Sequence, residues 1–81
     1  MSKIIIECKV PAANLCEDIS IPYEKPMADT LKLIKALFTD NESFRPDDTT
    51  LLCDSTVGSI FNLELTPEEL GLVNGSSVML L

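Results

Sequence analysis

Few residues in this chain are able to do chemistry, and they are scattered. No histidine occurs among its 81 residues, so a serine or cysteine nucleophile has no imidazole base and a common zinc ligand is missing. Cys8, Cys16 and Cys53 stand far apart. A plant-type iron–sulphur cluster requires four cysteines with a close triplet, and a secreted disulfide framework uses an even number. Two pairs of neighbouring carboxylates, Asp47-Asp48 and Glu68-Glu69, would serve as acid and base only if they converged on one atom, which sequence neighbours seldom do. Each has a local role instead, in a turn or a helix cap. We therefore assign no catalytic, cofactor-binding or metal-binding residue.

The remaining chemistry is that of surfaces, and composition limits which ones. Thirteen carboxylates against six lysines and arginines give a net charge of −7, which repels nucleic acid and anionic lipid and points to a protein partner. The same charge also keeps a small protein soluble. Forty-six per cent of the residues are hydrophobic, as in a globular chain. Residues 1–81 make a single domain, which buries only roughly 60–65% of its unfolded surface. Lys3 is followed by three apolar residues, far short of a signal peptide or a membrane span. The expected location is the cytoplasm, where the three thiols stay reduced.

The elements that must build such a surface follow from periodicity. Ile4, Ile6, Cys8 and Val10 alternate with Ile5, Glu7 and Lys9, the period of a strand from about Lys3 to Val10. Pro11-Ala12-Ala13-Asn14 breaks it, and Cys16 to Ile21 returns as the second arm of a hairpin. Alternation places Glu17 on the core side, so either a bulge intervenes or that end of the sheet is open. Pro22 and Pro26 bracket a loop. Met27, Leu31, Ile34 and Phe38 then form one stripe of a helix from Met27 to Thr39, with Pro26 at its start and Asp40-Asn41 at its end. Leu33 and Leu37 lie off the stripe, either at the core rim or at a contact surface.

A third strand spans Thr49 to Cys53, and Ile60-Phe61 makes a short fourth. Thr66-Pro67-Glu68-Glu69 has the form of a capping box, worth about 1 kcal/mol. Gly71 closes that turn, Asn74-Gly75 makes a reverse turn, and Ser76 to Leu81 is the last strand. Asp54-Ser55 is similar to the attachment site of acyl carrier proteins, but those are helical bundles and strands dominate here. The fold class is α+β: a mixed sheet of four to five strands, one long helix across one face, and a short helical turn before the last strand. A last strand parallel to the first is central and must be apolar. The expected core is Ile4, Ile6, Ile19, Ile21, Leu31, Ile34, Phe38, Leu51, Leu70, Leu72, Val78 and Leu80, with Cys8 and Cys53 also inward.

From IIIECKV through ADTLKLIKALF to LTPEELGLVNGSSVMLL, the chain resembles the ubiquitin-like, or β-grasp, superfamily. Its closing pattern is most similar to that of the YukD and EsaB group of small bacterial proteins. The resemblance implies a noncatalytic cytosolic accessory protein of type VII secretion, with a secretion-system component as partner. Conjugated relatives and sulphur carriers use a Gly-Gly extension that an activating enzyme can thread; here Leu80-Leu81 stand at the end, so conjugation is not expected. A small subunit of a multicomponent enzyme, such as a bacterial diiron monooxygenase, is the alternative.

The resemblance also implies that partners meet the open sheet face. With Leu51 and Cys53 inward, Leu52 points out; with Val78 and Leu80 inward, Met79 and Leu81 point out. Leu52, Met79 and Leu81, bordered by Lys3 and Ile5, are thus the expected protein-binding residues. The alternative is that these side chains merely pack among themselves.

Overall fold

Alternation along KIIIECKV becomes strand β1 (Lys3–Val10), whose even-numbered residues are buried while Lys3, Ile5 and Lys9 are exposed. The computed structural model describes residues 2–39, 46–47 and 50–81; the expected helix stop at Asp40-Asn41, the second carboxylate of Asp47-Asp48 and the start of a strand at Thr49 lie outside them. A 3-10 turn (Pro11–Ala13) ends at Asn14, whose φ of 54° reverses the chain. Asparagine tolerates that left-handed conformation better than most residues. Strand β2 (Leu15–Pro22) then runs antiparallel to β1 over all eight positions, from Lys3↔Pro22 to Val10↔Leu15. The unbroken register resolves the question at Glu17. It pairs with Cys8 on the core-side phase yet is exposed, so no bulge intervenes and that end of the sheet is open.

Helix α1 (Met27–Phe38) buries Met27, Thr30, Leu31, Ile34 and Phe38 and leaves Leu33 and Leu37 exposed. Pro26 precedes the first turn and offers no side-chain cap. The free amides are met from elsewhere: Met27 N–H donates to the Leu65 carbonyl at 2.7 Å and Ala28 N–H to that of Leu63 at 3.0 Å. The irregular segment before the last strand thereby caps the helix, satisfying donors that would otherwise be orphaned.

Strands β3 (Leu52–Asp54) and β4 (Ser77–Leu80) complete a four-stranded mixed sheet in the order β2-β1-β4-β3, with β4 parallel to β1 and antiparallel to β3. The expected strand at Ile60-Phe61 is reduced to a single bridge between Ile60 and Cys53. The capping box forms as predicted: Glu69 N–H donates to Thr66 Oγ1 at 3.1 Å and Thr66 N–H to Glu69 Oε1 at 3.0 Å. It encloses one turn, closed by Gly71 at φ +75°. Among the described residues no helix is long and apolar enough to cross a membrane.

The core lies between α1 and one sheet face, and it differs from expectation at β3. Leu51 is 42% exposed and Leu70 only partly buried, whereas Leu52 is 1% exposed and packs in the core. The register shows why: Leu52 pairs with Leu80, and Cys53 with Met79. A run such as Leu51-Leu52-Cys53, apolar at every position, carries no alternation, so only its partner strand sets the phase.

Candidate protein interface

Built from the strands upward, the face away from α1 is a set of cross-strand rows. Lys9 pairs with Met79, Met79 with Cys53, and Cys53 with Ile60, so these four side chains lie side by side across the sheet. The next row holds Leu51 and Leu81, whose main chains exchange two hydrogen bonds at 2.9 and 2.8 Å. Leu51, Leu81 and Ile60 are exposed, Met79 is half-buried and Cys53 is wholly covered. Five apolar residues from three chain segments are therefore gathered on one open face around Cys53.

Two corrections follow for the expected site. Leu52 does not belong to it, because its side chain is in the core on the helix side; Leu51 takes its place on the open face. Lys3 and Ile5 have the open-face phase, but the parallel register sets Lys9 beside Met79. Ile5 is four residues and Lys3 six residues further along β1, about 13 and 20 Å away at roughly 3.3 Å per residue. The basic neighbour of the patch is Lys9, which also lies 3.6 Å from Glu7. Cys53 was expected inward and is buried, though on the opposite face from Cys8. Ile60 was missed because its single bridge has no periodic signal.

Asp54, which follows Cys53 in β3, has a structural role. Asp54 Oδ1 accepts Thr56 N–H at 2.7 Å and Val57 N–H at 3.3 Å, holding the turn after β3. The thiols are free. Burial, with a smaller push from Cys16, raises the Cys8 thiol to about 11. Desolvation and then the Glu7 carboxylate hold the exposed Cys16 thiol above its ordinary value. These shifts disfavour thiolate, the nucleophilic form.

No protein-family model matches the sequence, and no curated protein matches it. Solved structures do match along the whole chain. A chain of the toluene 4-monooxygenase HD complex superimposes with a TM-score of 0.82 at 10% identity, covering 98% of this chain and 96% of that one. The ubiquitin of Caldiarchaeum subterraneum gives 0.79 at 18% identity, covering 98% and 91%. The ubiquitin-like domain of the type VII secretion system protein EccD1 of Mycobacterium tuberculosis gives 0.72 at 16% identity, covering 100% and 99%. The chain has the ubiquitin-like β-grasp fold. At such identities the likeness shows the fold of this ubiquitin-like domain alone, and a fold hosts many functions. Function has to be argued from the side chains of this domain, above all the apolar row on the open face.

Proposed function

We propose that this ubiquitin-like domain is a noncatalytic interaction module that docks a larger protein through the open face of its sheet, as a cytosolic accessory protein of type VII secretion. The observation that carries the docking role is the cluster of Leu51, Ile60, Met79 and Leu81 around the covered Cys53. An apolar centre with Lys9 at its margin has the anatomy of a small protein interface. Support for the secretion setting comes from neighbours of the same fold: EccD1, and a chain of the ESX-3 core complex of which the matching region is 16%.

A second reading is supported by the match to a toluene 4-monooxygenase complex chain, which is covered at 96% and so is of similar size. It makes the protein an accessory subunit of a multicomponent enzyme. Affinity capture from native extract separates the two: recovery of a secretion ATPase or membrane component supports the first, recovery of a hydroxylase the second. Leu51→Asp and Met79→Asp should each abolish capture of that partner while the Tm stays within a few degrees. Capture unchanged in both variants removes the open face as the docking site.

A further inference from the structure

Asparagine is a thermolabile residue, most of all before glycine, where no side chain hinders the following main-chain nitrogen. Asn74-Gly75 is the one such pair in the chain: Asn14, Asn41 and Asn62 precede Leu15, Glu42 and Leu63. Asn74 and Gly75 are both exposed, so water reaches them. In an unfolded chain this pair reacts with itself; in the folded one its contacts decide.

Ser76 N–H donates to the Val73 carbonyl at 3.0 Å, and Gly75 has φ +88° whereas φ of Asn74 is not positive, so Val73 to Ser76 form a type II turn. Such a turn sets ψ of its first central residue at about +120°, which carries the Gly75 nitrogen away from the Asn74 side chain. Gly75 N–H donates to the Ile5 carbonyl at 2.8 Å. The nitrogen must give up that bond before it can lose its proton, and the electron pair then left points at Ile5 rather than at Asn74. Ile5 N–H meanwhile holds Asn74 Oδ1 at 2.8 Å, fixing the side chain. Ser76 Oγ accepts Val73 N–H at 2.9 Å and braces the turn from outside the pair.

We propose that Asn74 is a self-modification site, which its bonds to Ile5 in β1 keep inactive and which opening of that contact releases. Once free, the Gly75 nitrogen loses its proton to solvent and attacks Asn74 Cγ. The N–Cγ bond forms, the Cγ–Nδ2 bond breaks and ammonia leaves, closing a cyclic succinimide. Water then opens the ring: addition at Cγ gives aspartate, and addition at the main-chain carbonyl gives isoaspartate, which routes the main chain through Cβ and Cγ. The parallel ladder begins just beyond, at Glu7↔Ser77, so the lengthened chain enters β4 out of place and the bonds to Ile5 do not re-form. A molecule that has once opened is thereby marked and weakened. The site shares no residue with the open-face patch, so the two readings stand or fall separately.

The test incubates the full chain in mildly alkaline buffer, folded and in guanidinium chloride, beside the blocked peptide Gly-Leu-Val-Asn-Gly-Ser-Ser-Val. Cleavage after glutamate and mass spectrometry of the fragment beginning at Leu70 follow conversion at Asn74, and chromatography separates the two products. The denatured chain should convert at the rate of the peptide and the folded chain at least about tenfold more slowly, because the reaction waits for local opening. Ser76→Ala, which removes the brace without touching Asn74 or Gly75, should speed conversion of the folded chain several-fold and leave that of the denatured chain unchanged. The purified isoaspartate form should melt below Asn74→Asp, which keeps the ordinary main chain. Equal rates in folded chain and peptide, a folded rate indifferent to Ser76→Ala, or an isoaspartate form as stable as Asn74→Asp would each overturn the proposal.

Discussion

The side-chain oxygen of Asn74 accepts the main-chain N–H of Ile5 at 2.8 Å, bridging 69 positions of sequence. The Ile5 carbonyl accepts Gly75 N–H, also at 2.8 Å. Both polar main-chain groups of one β1 residue are thus held by a turn whose third residue, Gly75, has φ +88°. That turn clamps β4 against β1 where the parallel ladder begins. Asn74→Ala should cost about 1 kcal/mol, lowering Tm by roughly 4–8 °C for a domain of this size. Asn74→Asp, which retains the acceptor, should lose much less; equal losses in thermal melts would show that the bond contributes nothing.

Leu51 and Leu52 are neighbours with opposite surroundings, and the contrast is measurable. Leu52→Asp buries a charge in the core and should cost about 4 kcal/mol or more. Leu51→Asp, on the open face, should shift stability by under about 1 kcal/mol. Urea midpoints for the two variants should therefore diverge widely, and similar midpoints would reverse the phase of β3.

Thr30 is buried, and its hydroxyl has no hydrogen-bond partner among the described residues. Replacing an unsatisfied buried hydroxyl by a methyl of similar shape removes a desolvation cost. Thr30→Val should raise stability by about 1 kcal/mol, seen as a higher melting temperature. A lower one would mean that the hydroxyl is satisfied in solution.

Cysteine accessibility gives a separate check. A disulfide-exchange reagent should react with Cys16 alone in the folded protein and with all three thiols in denaturant, since Cys8 and Cys53 are buried. The Cys8 thiol also makes stability depend on pH. Its proton is held more tightly in the folded state, at about 11 against an ordinary 9.0. This contribution is complete below pH 9 and is lost as pH rises through about 11. Over that range the wild type should lose stability more steeply than Cys8→Ala; parallel curves would place Cys8 in contact with water.

Much of this architecture was legible in the chain because the signals were local. The 3.6-residue stripe of Met27, Leu31, Ile34 and Phe38, the alternation of β1 and the reciprocal bonds of Thr66 and Glu69 each lie within a few residues. Burial of a stripe and capping of a turn are decided by neighbours along the chain. The ending Val78-Met79-Leu80-Leu81, apolar throughout, announced a central strand, and β4 does lie between β1 and β3.

What only the tertiary structure decided was phase and register. Leu51-Leu52-Cys53 reads alike in either phase until Leu80 pairs with Leu52, and Ile5 belongs beside Met79 until the parallel ladder sets Lys9 there. Ile60 reaches the patch through one bridge. Periodicity fixes which residues share a face of their own strand. Which strand lies alongside, and at what offset, depends on hydrogen bonds between segments distant in sequence.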